Sequence, residues 1–420
     1  MKSHLLKSLG SMTVFAAAMI SVAGAQSVPL DRQQPGRFAN HAVLGNYGLP
    51  VGFVDSINSQ PALIPTSSAP PFTPQAIRKA YGIDTAFGTN VGGAGQTIAI
   101  IDAYHFGNAR HDLTVFDVNL GFPDTGFTFT IVDQNGNAVP TSDVNTAQAA
   151  NWGFETALDV QWVHALAPKA NILLVEADDN NFNNLITAFQ YAASQPGVTA
   201  ISNSYGTNEF AGESGFDSLY AAPSAVTVLF SSGDNGLTPE WPSAGPNVLS
   251  VGGTHLVLNS SFARQSESTW GDGTTGDEGA GGGCSPFEPA AAYQHGFAKM
   301  CAGRATPDVG LDADPNTGVF VYNSAYDPAH IYEIGGTSLA CPMMAGIVAD
   351  INANRAGMGK QPLGVVNTDI YSSAVFGYST HFFDVVTGTN GASALRGYDL
   401  GTGVGVPLGV GLNTVLSSLP

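Results

Sequence analysis

Basic residues are scarce. The 420-residue chain has 14 Lys and Arg against 33 Asp and Glu, a formal charge of −19. That balance excludes a polyanion such as nucleic acid, or an anionic membrane surface, as the main partner. Charge of either sign is sparse at 11%, well below the ordinary quarter, which excludes a charge-rich disordered or coiled-coil chain. Cysteine is limited to three, with neither a CxxC pair nor a Cys/His zinc pattern. Beyond the first 25 residues no run approaches the roughly 20 apolar residues needed to cross a bilayer.

What the chain does have is 44% hydrophobic residues, 51 Gly and 25 Pro. This suits a compact, loop-rich body with a large core. Lys2 and Lys7 precede the small apolar stretch Met12 to Ala23, and Ala23-Gly24-Ala25 offers a small-x-small cleavage pattern. Residues 1–25 therefore read as a signal peptide, and the rest as exported and soluble. In an oxidising compartment Cys284 and Cys301 are placed to close a modest loop, contributing about 3 kcal/mol if unstrained. Cys341, in an apolar run, reads as a small core residue.

Residues 26–71 are punctuated by Pro61, Pro65, Pro70 and Pro71 and read as a short irregular extension without its own core. Thr73 then caps a helix with Pro74 at its first position. From there short apolar runs alternate with helical stretches. TIAIID (97–102), NILLVE (171–176), TAISNS (199–204) and VTVLFS (226–231) read as buried strands, and 151–166 and 183–193 as helices. Such alternation predicts an α/β fold with a mostly parallel sheet covered on both faces. Reactive groups in such sheets gather at the carboxyl ends of the strands.

The strongest local motif is Gly335-Gly336-Thr337-Ser338-Leu339-Ala340-Cys341-Pro342. It places Ser338 at a helix start, where free N–H groups and the dipole favour a developing oxyanion. A serine nucleophile needs a base, yet none of the nine His lies in a His-Gly-Thr context. The helix carrying Glu155 and Asp159 offers one instead. Four positions at ~100° each bring two side chains to within ~40° of one face. Paired carboxylates share a proton and can accept that of a serine. Asp234, in Ser-Gly-Asp-Asn-Gly after an apolar strand, is either a turn former or a protonated donor to an oxyanion.

Glu155, Asp159, Asp234 and Ser338, in that order, resemble the sedolisin family of serine-carboxyl peptidases over about residues 72–407. The resemblance implies a subtilisin-like fold, with Glu155 as general base, Asp159 orienting it, Asp234 in the oxyanion hole and Ser338 as nucleophile. Supporting stretches are Trp241-Pro242-Ser243 through Val251-Gly252-Gly253-Thr254, Gly281-Gly282-Gly283-Cys284-Ser285 with Tyr293-Gln294, and Pro307-Asp308-Val309 with Asp312-Ala313-Asp314-Pro315. Ser204-Tyr205-Gly206 resembles the family's substrate-pairing strand edge, with Tyr205 where Trp is usual. A single calcium ion is implied near the C-terminus, held by the side chains of Asp384 and Asp399 and the carbonyls of Val385, Leu395 and Gly397.

The implied protein is thus a monomeric, acid-acting, secreted endopeptidase, with proteins or peptides as substrates and residues 72–420 as its peptidase domain. The stretch 26–71 is too short for the family's folded prodomain. Asp102, ending the first strand, either extends the carboxylate chain or closes a strand-end turn. The competing readings are a Ser-His-Asp subtilisin, which the missing His motif disfavours, an inactive peptide-binding relative, which the four intact positions disfavour, and a Gly-rich scaffold, which needs neither motif.

Overall fold

The computed structural model describes residues 37–50, 66–88, 92–122, 125–139, 145–271 and 278–420. The proposed signal peptide and residues 26–36 and 51–65 of the extension lie outside them. A sheet of eight strands forms the centre. Its order runs Arg264–Thr269, Leu249–Leu258, Thr227–Ser231, Val198–Asn203, Thr97–Ala103, Asn171–Ala177 and Phe129–Asp133, with Val309–Asp312 also paired to Leu249–Leu258. Every pairing is parallel except the hairpin of Leu249–Leu258 with Arg264–Thr269.

Apolar runs without alternation produce this arrangement. From Ile98 to Ala103 every residue is buried, so both pleat faces are covered, as a parallel sheet requires. The helix Gly153–Leu166 is apolar nearly all round and buries all but one residue. It packs against the helix Thr337–Gly357, whose residues from Thr337 to Asn352 are all buried. The predicted elements fall within a residue or two of those observed, and Thr73 caps the helix Pro74–Ala80 by accepting from the amide of Ala76. Cys284 and Cys301 are joined by a disulfide, and Cys341 is free and buried.

The extension differs from the expected irregular strap. Ala39–Asn40 pairs antiparallel with Tyr205–Asn208, and Val43–Pro50 pairs antiparallel with His330–Gly335. Phe38 supplies the physical reason. It is buried at 2% exposure among Phe182, Tyr205 and Trp241, with ring centroids 5.3–5.9 Å away. The segment has no core of its own and uses that of the domain. No helix among the described residues is long and apolar enough to cross a membrane.

Candidate active site

The helix Thr337–Gly357 begins one residue before Ser338, with Gly336 at its cap. Gly336 has φ +95°, and a Cβ there would lie 1.8 Å from the His41 carbonyl oxygen and 2.8 Å from Asp234 Oδ2. Both demands, the left-handed backbone and the missing side chain, select glycine. Ser338 Oγ donates to Glu155 Oε2 at 2.9 Å and lies 3.4 Å from the Ser204 carbonyl. One turn along the helix, Asp159 Oδ1 accepts from Ser204 Oγ at 2.9 Å. The two acids and the serine are fully buried.

Burial is the first cause that pushes both acids well above the ordinary carboxylate range. For Glu155 the charge of Asp102 adds to it, opposed by the Ser338 hydroxyl and the amide of Ala42. For Asp159 the next causes are Glu155 and then Asp102. Asp102, fully buried at the end of its strand, is pushed up to about 8 by burial and then by Glu176. Three carboxyls so close and so dry hold fewer charges than oxygens allow, and they titrate as one cluster. A hydroxyl donating to such a cluster can pass its proton into it.

Asp234 Oδ1 accepts from the Thr337 amide and the Thr337 hydroxyl, each at 2.8 Å. Its Oδ2 is buried with no hydrogen-bond partner among the described residues. Burial lifts this carboxyl to about 7, against the lowering pull of His41 and Thr337. A protonated Oδ2 is a donor waiting for an acceptor beside Gly336.

Ser204 meets Asp159 through its hydroxyl and Ser338 through its carbonyl, and the adjoining Tyr205 and Gly206 pair with Asn40 and Ala39. Sequence reasoning missed the groups around them. His41 is buried, with Nδ1 2.7 Å from Ser231 Oγ and Nε2 2.9 Å from Glu240 Oε2. Burial lowers its pKa, but Glu240, then Asp234 and Glu155, raise it to a net value of about 9. The Ala42 amide donates to Glu155 Oε2 at 2.8 Å. No motif marks His41 or Glu240, the latter standing between Pro239 and Trp241.

The five proposed calcium ligands fall in one C-terminal loop cluster. Asp384 Oδ1 accepts from the Gly397 amide and the Tyr378 hydroxyl, each at 2.9 Å, and that hydroxyl is also 2.9 Å from the Gly397 carbonyl. Asp399 accepts from the amides of Gly401 and Thr402 and from the Thr402 hydroxyl. It is pushed up to about 6, first by burial, and no basic side chain is among the groups acting on it. An all-oxygen set with two carboxylates fits a hard metal. A bound ion would take over the Gly397 carbonyl from the Tyr378 hydroxyl.

Comparison with known proteins identifies the family. The subtilase family, Peptidase_S8, matches residues 143–363. Kumamolisin from Bacillus sp. (strain MN-32) is 31% identical over 377 residues, covering 82% of this chain and 64% of that protein. Sedolisin from Pseudomonas sp. (strain 101) is 32% identical over 208 residues, covering 46% of this chain and 34% of that protein. The chain thus spans less than two thirds of the length of these relatives. The structure of Pseudomonas sedolisin, a serine-carboxyl proteinase complexed with pseudo-iodotyrostatin, superposes with a TM-score of 0.70 at 26% identity, covering 84% of this chain and 99% of that one. This chain belongs to the subtilase family and, within it, to the sedolisins.

Proposed function

We propose that this chain is an exported serine-carboxyl endopeptidase that hydrolyses peptide bonds in acid through an acyl-enzyme on Ser338. The single observation carrying the reading is the 2.9 Å hydrogen bond from Ser338 Oγ to Glu155 Oε2, with no imidazole on that hydroxyl. His41, the histidine of the cleft, turns its ring to Ser231 and Glu240 instead, which disfavours a Ser-His-Asp mechanism. Residues 1–25 serve as the export signal in this reading.

The chemistry follows from the proton inventory. Ser338 Oγ attacks the substrate carbonyl while its proton passes to Glu155, and Asp159, one turn on, shares the charge. The carbonyl oxygen becomes an oxyanion beside Gly336, where Asp234 Oδ2 donates a proton-bearing hydrogen bond. Glu155 then gives its proton to the leaving nitrogen. Water repeats the sequence on the ester and regenerates Ser338. Asp102 acts as a positioning residue that limits how much negative charge the pair carries.

Endopeptidase action is supported by the path of the chain's own segment past Ser338, which continues on both sides. Chain runs on one side of Ser338 through Ala39 to Phe38, whose amide donates to the Asn180 carbonyl, and on the other side along His330–Gly335. A site that counts three residues from a free amine would need that path closed. Calcium, held by Asp384, Asp399 and the carbonyls of Val385, Leu395 and Gly397, would supply loop stability and no chemistry. The test is a peptide library with free and acetylated amino termini. Wild-type protein should cut both within the chain, and Ser338→Ala neither. Cleavage confined to free amino termini would replace endo- by exo-action, and cleavage by Ser338→Ala would remove the nucleophile.

A further inference from the structure

A further acid, Glu176, stands behind the reactive cluster. Asp102 and Glu176 lie near the carboxyl ends of the parallel strands Thr97–Ala103 and Asn171–Ala177 and are register partners. Paired residues on strands about 5 Å apart point to the same face of the sheet. From that face Asp102 acts on Glu155 and Asp159 of the helix Gly153–Leu166. Glu176 therefore reaches the catalytic pair only through Asp102.

The surroundings of Glu176 suit a carboxylate. Oε1 accepts from the Phe106 amide at 2.9 Å, and Oε2 lies 2.5 Å from His105 Nδ1. A carboxyl with an N–H on each oxygen is held in its ionised form. His105 is fixed over it by backbone. Its amide donates to Thr146 Oγ1 at 2.9 Å, and its carbonyl accepts from the Ala147 amide at 3.0 Å. The imidazole is 18% exposed while Glu176 is 3% exposed, so the ring can exchange a proton with solvent and the acid behind it cannot do so directly. Asp133, the register partner of Glu176 on its other side, turns its oxygens to Asn135 and Asn137.

Asp102 has the opposite surroundings. The one hydroxyl acting on it, that of Thr156, donates to the Trp152 carbonyl at 3.1 Å. Both Asp102 oxygens are otherwise buried without a hydrogen-bond partner among the described residues. A charge there would be left without donors, and it would face a carboxylate across the strand. Burial first, and then Glu176, lift this carboxyl to about 8.

We propose that Glu176 and His105 form a charge-setting pair: the Glu176 carboxylate, kept ionised by His105, holds the proton on Asp102, so that the negative charge of the buried cluster rests on Glu155 and Asp159 beside Ser338. The inference rests on the serine-carboxyl peptidase reading above. Glu176 and His105 touch neither substrate nor Ser338 and are positioning residues; what they position is a charge. Without the Glu176 carboxylate that charge can settle on Asp102, and the base beside Ser338 is then protonated. Without the imidazolium, Glu176 is a buried acid with no cation against it, and it takes up a proton sooner as pH falls.

The test is peptide hydrolysis by the purified full chain across the acid range, with kcat and KM resolved for each variant and thermal melts alongside. Glu176→Gln keeps an acceptor for the Phe106 amide and should lower kcat about tenfold or more with little change in KM. Adding Asp102→Asn, which cannot take the charge, should raise kcat of Glu176→Gln about fivefold or more, whereas the same change in the wild-type background should give no rise. His105→Asn keeps a donor near Nδ1 without the cation, and should move the acid limb of kcat to higher pH. A Glu176→Gln chain as fast as wild type overturns the inference. A slow Glu176→Gln that Asp102→Asn does not restore reduces Glu176 to a structural part and overturns it equally. An acid limb unmoved in His105→Asn removes the imidazole from the pair. Should Glu176→Gln fail to fold, that limb decides alone. No hydrolysis by the wild type overturns the peptidase reading itself.

Discussion

Glu155 Oε2 accepts two hydrogen bonds, from Ser338 Oγ at 2.9 Å and from the Ala42 amide at 2.8 Å. One carboxylate oxygen thus touches both the Ser338 hydroxyl and a backbone amide of the amino-terminal extension. In the proposed mechanism that oxygen is the base, and no imidazole is required. It also makes Glu155 and Ser338 inseparable in effect.

Glu155→Gln keeps the size of the side chain and removes the base. The expected result is a fall in kcat of about a thousandfold or more, with a smaller change in KM. Single-turnover hydrolysis of a peptide measures it. A Glu155→Gln protein with near wild-type kcat would place the base elsewhere.

Stability should be greatest in mild acid. Asp102 is lifted to about 8 and Asp234 to about 7, each first by burial. The folded state therefore holds protons that the unfolded chain releases near pH ~4. This contribution is whole below the unfolded value and is lost as pH rises through the folded ones. His41 works in the same direction. Burial lowers it, but Glu240 leaves it at about 9, so its contribution is whole below ~6.5 and lost through about 9. Thermal melts should give a higher Tm at pH ~5 than at pH ~8, and Asp102→Asn should narrow the gap. A Tm that rises steadily to pH ~8 would contradict the burial of these protons.

Calcium should act on stability more than on rate. Asp384 and Asp399 sit in C-terminal loops tied together by Tyr378 and Gly397, not in the cleft. A ligand bound only by the folded state adds stability as its concentration exceeds Kd, about 2.7 kcal/mol at a hundredfold excess, and so raises Tm. Chelator should lower Tm, excess calcium should restore it, and Asp399→Ala should abolish the difference. Equal melting temperatures in chelator and calcium would remove the ion from the account.

The parts of this molecule legible in the sequence are those written in local pattern. Apolar runs without alternation announced the strands around Ile98 to Ile101 and Leu173 to Val175, because a strand buried on both faces needs no polar side. Glu155 and Asp159 could be paired because helical spacing is rigid, and Ser338 because Gly335-Gly336 and the helix that follows constrain one another. Asp102 could be seen but not assigned, since its meaning depends on a neighbour from another strand. His41 and Glu240 could not be seen. They lie 199 positions apart, and a cross-chain contact of that kind leaves no local period. The strands of the extension could not be read for a similar reason: their order comes from Phe38 docking among Phe182, Tyr205 and Trp241 of the domain, contacts far away in sequence.

The central claim, that carboxyl groups alone run the acid–base chemistry on Ser338, is tested most directly by the pH dependence of kcat/KM for wild type beside Asp234→Asn. Asp234 must be protonated to donate toward the oxyanion, and burial holds its carboxyl at about 7. The wild-type rate should therefore fall as pH rises through about 7. It should also fall at low pH as the Glu155–Asp159 pair takes up its last proton, giving a bell with two carboxyl limbs. Asparagine keeps a donor without an ionisation, so the alkaline limb of Asp234→Asn should flatten or move up even if the maximum drops. A wild-type profile that climbs through pH ~7 to a plateau near ~8, unchanged in shape by Asp234→Asn, would mean a histidine base and would contradict the account.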